Sequence, residues 1–179
     1  MRQFDASPIG LAAGAAFTAL LLLAAFGDLR TRRIPNKLVA ILALLGVTFS
    51  IAAEPVLAGV SKSVLGLVTG LLCWLPFYAL GWLGAGDVKL FAAASAWLGP
   101  LGALEGSLAA ACAGGVLALL WMVKSRGAAE TAEVLGMSAG SPTLLTPEAN
   151  DSRRARLPYG LAIAFGALWA GWLGRMLSL

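Results

Sequence analysis

Long stretches without a single charged residue dominate this sequence and restrict what it can fold into. The 179 residues are 59% hydrophobic and only 12% charged, which leaves too little charge to cover the surface of a soluble domain. In a lipid bilayer an apolar chain must satisfy its own backbone hydrogen bonds, and a run of about 20 apolar residues does so as a helix. The sequence therefore predicts an all-α, polytopic integral membrane protein.

Six charge-free stretches predict about six transmembrane helices in one membrane domain, residues 1–179. They are Ala6–Gly27, Leu38–Ala53, a span within Ser63–Gly86, Leu90–Leu104, Gly106–Val123 and Leu157–Gly174. Residues 124–156, which are rich in Ser, Pro, Glu and Gly, predict a polar loop. Of six tryptophans, four lie mostly near predicted span ends and predict an interfacial belt: Trp74, Trp82, Trp97 and Trp121.

The basic residues predict the orientation of these spans. If the N-terminus lies outside, ten of the thirteen Lys and Arg residues fall in inside segments, and the polar loop is cytoplasmic. The net charge of +4 is explained by basic residues that flank the spans and anchor them in the membrane. It therefore does not predict a nucleic-acid partner. The expected location is the inner (cytoplasmic) membrane of a prokaryote, with both termini outside.

Histidine is absent, which excludes Ser-His and Cys-His catalysis and histidine-ligated metal or haem. Cys73 and Cys112 both lie in apolar runs and form no CxxC motif, so they are interpreted as packing residues. We therefore predict no metal and no cofactor.

Two acids, Asp28 and Asp87, are predicted at the inside boundary of the membrane. A charged carboxylate costs little free energy at the membrane boundary, so two structural roles stay open. Asp28 could pair with Arg32, and Asp87 could cap a helix. Gly84 and Gly86, just before Asp87, allow backbone torsions and a close approach that suit a peptide substrate.

Two carboxyl groups that share one water can hydrolyse a peptide bond without metal, histidine or cofactor. The ionised acid takes a proton from water, while the protonated acid hydrogen-bonds the scissile carbonyl and later protonates the amine. This chemistry makes Asp28 and Asp87 the candidate catalytic residues.

At these residues the chain resembles type IV prepilin peptidases, which are intramembrane aspartic proteases of the GxGD type. The resemblance is carried by Asp28-x-Arg30-x-x-x-Ile34-Pro35-Asn36, by Gly84-Ala85-Gly86-Asp87-Val88-Lys89-Leu90 and by Leu157-Pro158-Tyr159-Gly160. It implies cleavage of the short basic leader from prepilin or pseudopilin precursors at the cytoplasmic membrane face. It also implies that Asp28 and Asp87 are the catalytic pair.

Longer members of that family carry paired CxxC motifs and also methylate the new N-terminus. This sequence has no CxxC, so it resembles the short members that serve tight-adherence (Flp-type) pili, and methyltransferase activity is not expected. Lys89 is either a substrate-binding residue, as Gly84 and Gly86 are expected to be, or a positive-inside anchor. Two other functions stay open: a non-catalytic membrane subunit of a pilus or secretion assembly, and a small proton-coupled carrier. Charge-free spans disfavour the carrier.

Overall fold

The structure is a computed structural model that describes residues 4, 7–31, 34–126 and 159–173. Within these ranges all regular structure is helical, which confirms the predicted all-α class. The elements are α1 (Pro8–Thr31), α2 (Asn36–Ala53), α3 (Val56–Ala79), α4 (Ala85–Arg126) and α5 (Tyr159–Leu168), which continues as a π-helical turn, Trp169–Leu173.

Four of these helices are long and apolar enough to cross a membrane, so the chain is a membrane protein with several spans. Their qualifying segments are Pro8–Arg30, Asn36–Ala53, Val56–Ala79 and Ala85–Leu120. The final helical segment, Tyr159–Leu173, is apolar but shorter. The count of six crossings stays a prediction.

Helix α4 reverses direction at Gly99, where the backbone leaves the helical region (φ 71°, ψ 179°) just before Pro100. A Cβ added at Gly106 would lie 3.4 Å from Cζ of Phe91. In a straight helix, residues 15 positions apart would be separated by about 22 Å. Residues 85–98 and 100–126 are therefore two arms of a helical hairpin.

The turn at Gly99 falls within the predicted fourth span, Leu90–Leu104, so that boundary was placed five residues late. The predicted span ends at Leu104 because Glu105 is the next charged residue. The backbone instead turns at a glycine with positive φ, followed by a proline that has no N–H to donate.

Helix α3 packs antiparallel against the first arm of α4 through small residues. The Ser63 hydroxyl donates to the carbonyl of Ala96 (3.0 Å), and farther along α3 the Trp74 ring contacts Phe91, with centroids 5.3 Å apart. Gly66 allows this approach, because a Cβ there would run into the backbone of the arm. Such close contact suits helices that associate in lipid by shape.

The tryptophans do not form the predicted belt. Trp97 is only 2% exposed and donates its indole N–H to the carbonyl of Leu42 (2.8 Å). Trp74 is also buried and donates to the Ser107 hydroxyl (3.2 Å), whereas Trp82 is exposed. An indole inside the protein needs a partner for its N–H, and both buried rings have one. The side chain of Trp121 lies outside the described residues.

Packing within the chain divides it into two units, residues 1–113 with 158–179, and residues 114–157. Helix α4 continues to Arg126, so the first three residues of the predicted 124–156 loop are helical. The rest of that loop lies outside the described residues, and the single domain over 1–179 stays a prediction.

Candidate active site

Asp28 lies near the C-terminal end of α1 and is 8% exposed. Its Oδ2 accepts a hydrogen bond from the backbone N–H of Gly160, at 3.0 Å, although the two residues are 132 positions apart. The N–H groups in the first turn of a helix have no acceptor in their own helix, and the helix dipole favours a negative charge there. The Asp28 carboxylate, at the end of α1, therefore supplies the acceptor that the Gly160 N–H in the first turn of α5 lacks within its own helix.

The antiparallel packing of α1 and α5 brings this helix start to Asp28. At the opposite end of the pair, Trp172 donates its indole N–H to the Thr18 hydroxyl (3.3 Å), and Gly14 leaves space for the same ring. Gly160 is equally close-fitting, because a Cβ there would lie 2.8 Å from Oδ2 of Asp28.

Asp87 is the third residue of α4 and is partly buried. Its Oδ2 accepts a hydrogen bond from the backbone N–H of Gly84, at 3.2 Å. An acid in the first turn that reaches back to the N–H just before the helix is the acidic half of a capping box. This contact is the one that the capping alternative predicts for Asp87.

Two influences act on the hydroxyl of Tyr159, the first residue of α5: its burial and, to a lesser degree, the charge of Asp87. Tyr159 immediately precedes Gly160, which donates its N–H to Asp28. The sequence motifs contain Tyr159 and Gly160, but neither was predicted as a site residue.

The chain segment around Ile34, between α1 and α2, joins this region. Its side chain lies against Gly86, where an added Cβ would be 3.6 Å from Cβ of Ile34. The Ile-Pro-Asn and Gly-x-Gly-Asp elements, about 50 residues apart in sequence, are thus in contact.

The predicted role of Gly84 and Gly86 is only partly supported. Neither has the left-handed φ that favours glycine, so the torsional reason for these glycines is wrong for this conformation. Around Gly86 there is space, since an added Cβ would make only ordinary contacts. Lys89, the remaining predicted site residue, is exposed.

Two further expectations concern charge partners and metals. Arg32, the proposed partner of Asp28, lies outside the described residues. Within the ranges that the structure describes, Lys62 of α3 forms an ion pair (2.6 Å) with Glu54, the residue that follows α2. Across the same ranges, no group of three His, Cys, Asp or Glu side chains is arranged to hold a metal ion.

Comparison with known proteins gives a family and one curated relative. Residues 15–119 match the type IV leader peptidase family. Over 110 residues the chain is 33% identical to a prepilin leader peptidase/N-methyltransferase of Pectobacterium carotovorum subsp. carotovorum. That match covers 58% of this chain and 39% of the relative, so the chain spans well under half of the relative's length. No solved structure matches. The family match includes Asp28 and Asp87, whereas Tyr159 and Gly160 lie beyond it.

Proposed function

Because the chain belongs to the type IV leader peptidase family, we propose that it is an intramembrane aspartic endopeptidase for prepilin-like precursors. It removes their short basic leader at the cytoplasmic membrane face. Two contacts support this proposal: Asp28 accepts the N–H of Gly160, and Ile34, in the segment just after α1, lies against Gly86, next to Asp87. We propose that the two acids come close enough to share one water and one peptide bond.

The reaction needs one carboxyl group ionised and the other protonated. The ionised group takes a proton from water as the water oxygen bonds to the scissile carbonyl carbon, and the protonated group donates a hydrogen bond to the carbonyl oxygen. The tetrahedral intermediate then collapses: the C–N bond breaks, and the acid that was protonated at the start gives its proton to the leaving amine, so the two acids exchange protonation states. The products are a carboxylic acid and an amine, without metal or cofactor.

Six crossings, with the active site facing the cytoplasm, fit the same proposal. The hairpin at Gly99 divides α4 into two arms, which act as the fourth and fifth spans. The short final helix is the sixth span. Ten of thirteen basic residues then lie on the cytoplasmic side, which is also the side of both aspartates.

The substrate is expected to approach Asp87 over the glycines before it. The missing side chain of Gly86 would let a peptide backbone come close to the acid, and exposed Lys89 follows three residues after Gly86 in α4. For a basic leader to bind, the two acids must outweigh the basic residues on the same face, Arg30 and Lys89 among them. The sequence given has no CxxC, and we propose cleavage without N-methylation, as in the short, Flp-type members.

A non-catalytic membrane subunit of a pilus or secretion assembly is the second candidate. The capping contact of Asp87 with Gly84 favours it, because this contact gives the acid a purely structural role. The two functions differ in what removal of the charge does. If Asp87 only caps the helix, Asp87→Asn keeps its function, because the amide oxygen still accepts the N–H of Gly84. If Asp87 takes part in catalysis, the same variant is inactive, because an amide can neither take up nor release the proton.

The test is cleavage of a candidate prepilin from the same cell by the purified full chain, run beside Asp28→Asn and Asp87→Asn. Each Asn keeps an oxygen that can accept the N–H of Gly160 or Gly84, so both variants are expected to fold. Glu105→Gln makes the same acid-to-amide change away from the site and is the matched control. Product is quantified by mass spectrometry under single-turnover conditions.

The proposal predicts that wild type and Glu105→Gln cleave alike and that both Asn variants lose at least a thousandfold in rate. If either Asn variant cleaves as wild type does, that aspartate is structural and the pair mechanism is refuted. If folded wild type leaves the precursor intact while the known relative cleaves it, the subunit function is favoured instead.

A further inference from the structure

The contact between Asp28 and the first turn of α5 suggests a role for Gly160 beyond packing. Asp28 lies within the last turn of α1, where the helix dipole disfavours a negative charge. The N–H of Gly160 offsets this unfavourable effect of the α1 dipole, because it belongs to the N-terminal end of α5, where a negative charge is favoured. Asp28 is thus oriented by a helix that lies outside the matched family range.

The missing side chain of Gly160 is part of the contact. An added Cβ would lie 2.8 Å from Oδ2, 3.0 Å from Cβ and 3.2 Å from Cγ of Asp28, so its nearest neighbours all belong to this one residue. The nearest of these atoms is the end of a side chain that can rotate. A methyl group at position 160 would therefore push the carboxylate of Asp28 aside by rotation, and its contact with Cβ, which rotation does not move, would also shift the two helices apart slightly.

We propose that Gly160 is a positioning residue: its N–H and its bare Cα together fix the Asp28 carboxylate in the orientation that peptide hydrolysis requires. This proposal rests on the proposed function for its catalytic consequence. The positioning contact itself can be tested without cleavage. Gly160 touches neither water nor substrate in this role, since it acts through Asp28.

Gly166, on the same helix, provides a matched control. A Cβ there would lie 2.5 Å from the backbone N of Ala110 and from the carbonyl oxygen of Gly106, with no aspartate among its nearest atoms. Backbone cannot rotate away as a carboxylate can. Gly166→Ala is therefore expected to weaken the fold, whereas Gly160→Ala mainly moves Asp28.

The experiment measures two properties of purified full-length wild type, Gly160→Ala and Gly166→Ala. The first is cleavage of a prepilin at several concentrations, which separates kcat from KM, with rates expressed per folded molecule. The second is the rate at which Asp28 and Asp87 react with a water-soluble carbodiimide and an amine, read by peptide mass spectrometry. Labelling of Asp87 is the internal reference.

For Gly160→Ala we expect kcat to fall at least tenfold with KM unchanged, and labelling of Asp28 relative to Asp87 to rise severalfold. Gly166→Ala should keep the wild-type labelling ratio and the wild-type kcat per folded molecule. The proposal is overturned if Gly160→Ala keeps the wild-type labelling ratio, or if its activity falls only in proportion to the folded fraction.

These readouts separate the two proposals. If Asp28→Asn cleaved normally, the peptidase mechanism would fail, yet increased labelling of Asp28 in Gly160→Ala would still support the positioning contact. If Gly160→Ala does not fold, the contact is tested from its other side, because any other residue at position 160 adds the same Cβ. Asp28→Ala, which removes the acceptor, should then accelerate hydrogen exchange of the Gly160 N–H. Unchanged exchange would overturn the contact.

Discussion

Replacing Asp28 by Ala and by Asn should affect stability very differently, although both changes remove the acid. The carboxylate accepts the Gly160 N–H at 3.0 Å in a site where Asp28 is 8% exposed. A hydrogen bond to a charged group contributes about 1.5–3 kcal/mol, and a buried N–H left without an acceptor costs about 1–3 kcal/mol. Asn supplies a neutral acceptor of the same shape, while Ala supplies none.

We therefore expect Asp28→Ala to lower the free energy of unfolding by about 2–3 kcal/mol and Asp28→Asn by about 1 kcal/mol. The difference corresponds to roughly a five- to thirtyfold change in the ratio of folded to unfolded protein. Unfolding is followed by circular dichroism as sodium dodecyl sulfate is titrated into the protein in mild detergent. Glu105→Ala and Glu105→Gln, run in parallel, report the cost of the same substitutions at a different acid.

Equal unfolding curves for Asp28→Ala and Asp28→Asn would refute the reasoning, because they would mean that Gly160 does not depend on an acceptor at position 28. An Asp28→Ala variant more stable than wild type would refute it as well. That result would show that burying the charge costs more than its hydrogen bond returns.

Two further changes test the geometry of the site and of the fold. The added methyl group of Gly86→Ala meets only ordinary contacts with Ile34, so the free energy of unfolding should stay within about 0.5 kcal/mol of wild type. KM should rise, because the methyl group obstructs the approach of the substrate to Asp87. An unaltered KM in kinetic assays would mean that the substrate does not pass over Gly86. Gly99→Ala forces a side chain into a backbone conformation (φ 71°, ψ 179°) that is essentially confined to glycine, which costs about 1–3 kcal/mol in detergent unfolding. Activity per folded molecule should persist, because the hairpin turn lies away from both aspartates, and a loss of activity would contradict this.

The helices could be predicted from the sequence because the signal for them is local. A charge-free apolar run must become a helix in lipid, whatever its neighbours do, and α1 and α2 largely coincide with such runs. Helix α3 begins at Val56, before the predicted limit Ser63, and includes Lys62. The same locality explains the error at Gly99. Hydropathy ends a span at a charge, whereas the backbone turned at a positive-φ glycine inside an apolar run.

The candidate acids could also be found from the sequence, since each directly borders an apolar run and carries a short motif. Their surroundings could not. Asp28 and Gly160 are 132 positions apart, and nothing in the residues between them specifies that α5 packs antiparallel to α1. The buried Trp97 shows the same limit, because a tryptophan near the end of a span is equally compatible with the lipid interface and with the protein interior.

The sequence by itself thus determined that this chain is helical, that it belongs in a membrane and which two acids are candidates for the chemistry. Only the tertiary structure decided which helix start donates to Asp28, where α4 reverses and which glycines are required by contact. The physical reason is that apolar side chains gain little by leaving lipid for one another, so hydropathy selects spans but not partners. Partners are selected by close fit between small residues and by single polar contacts, such as Gly160 with Asp28.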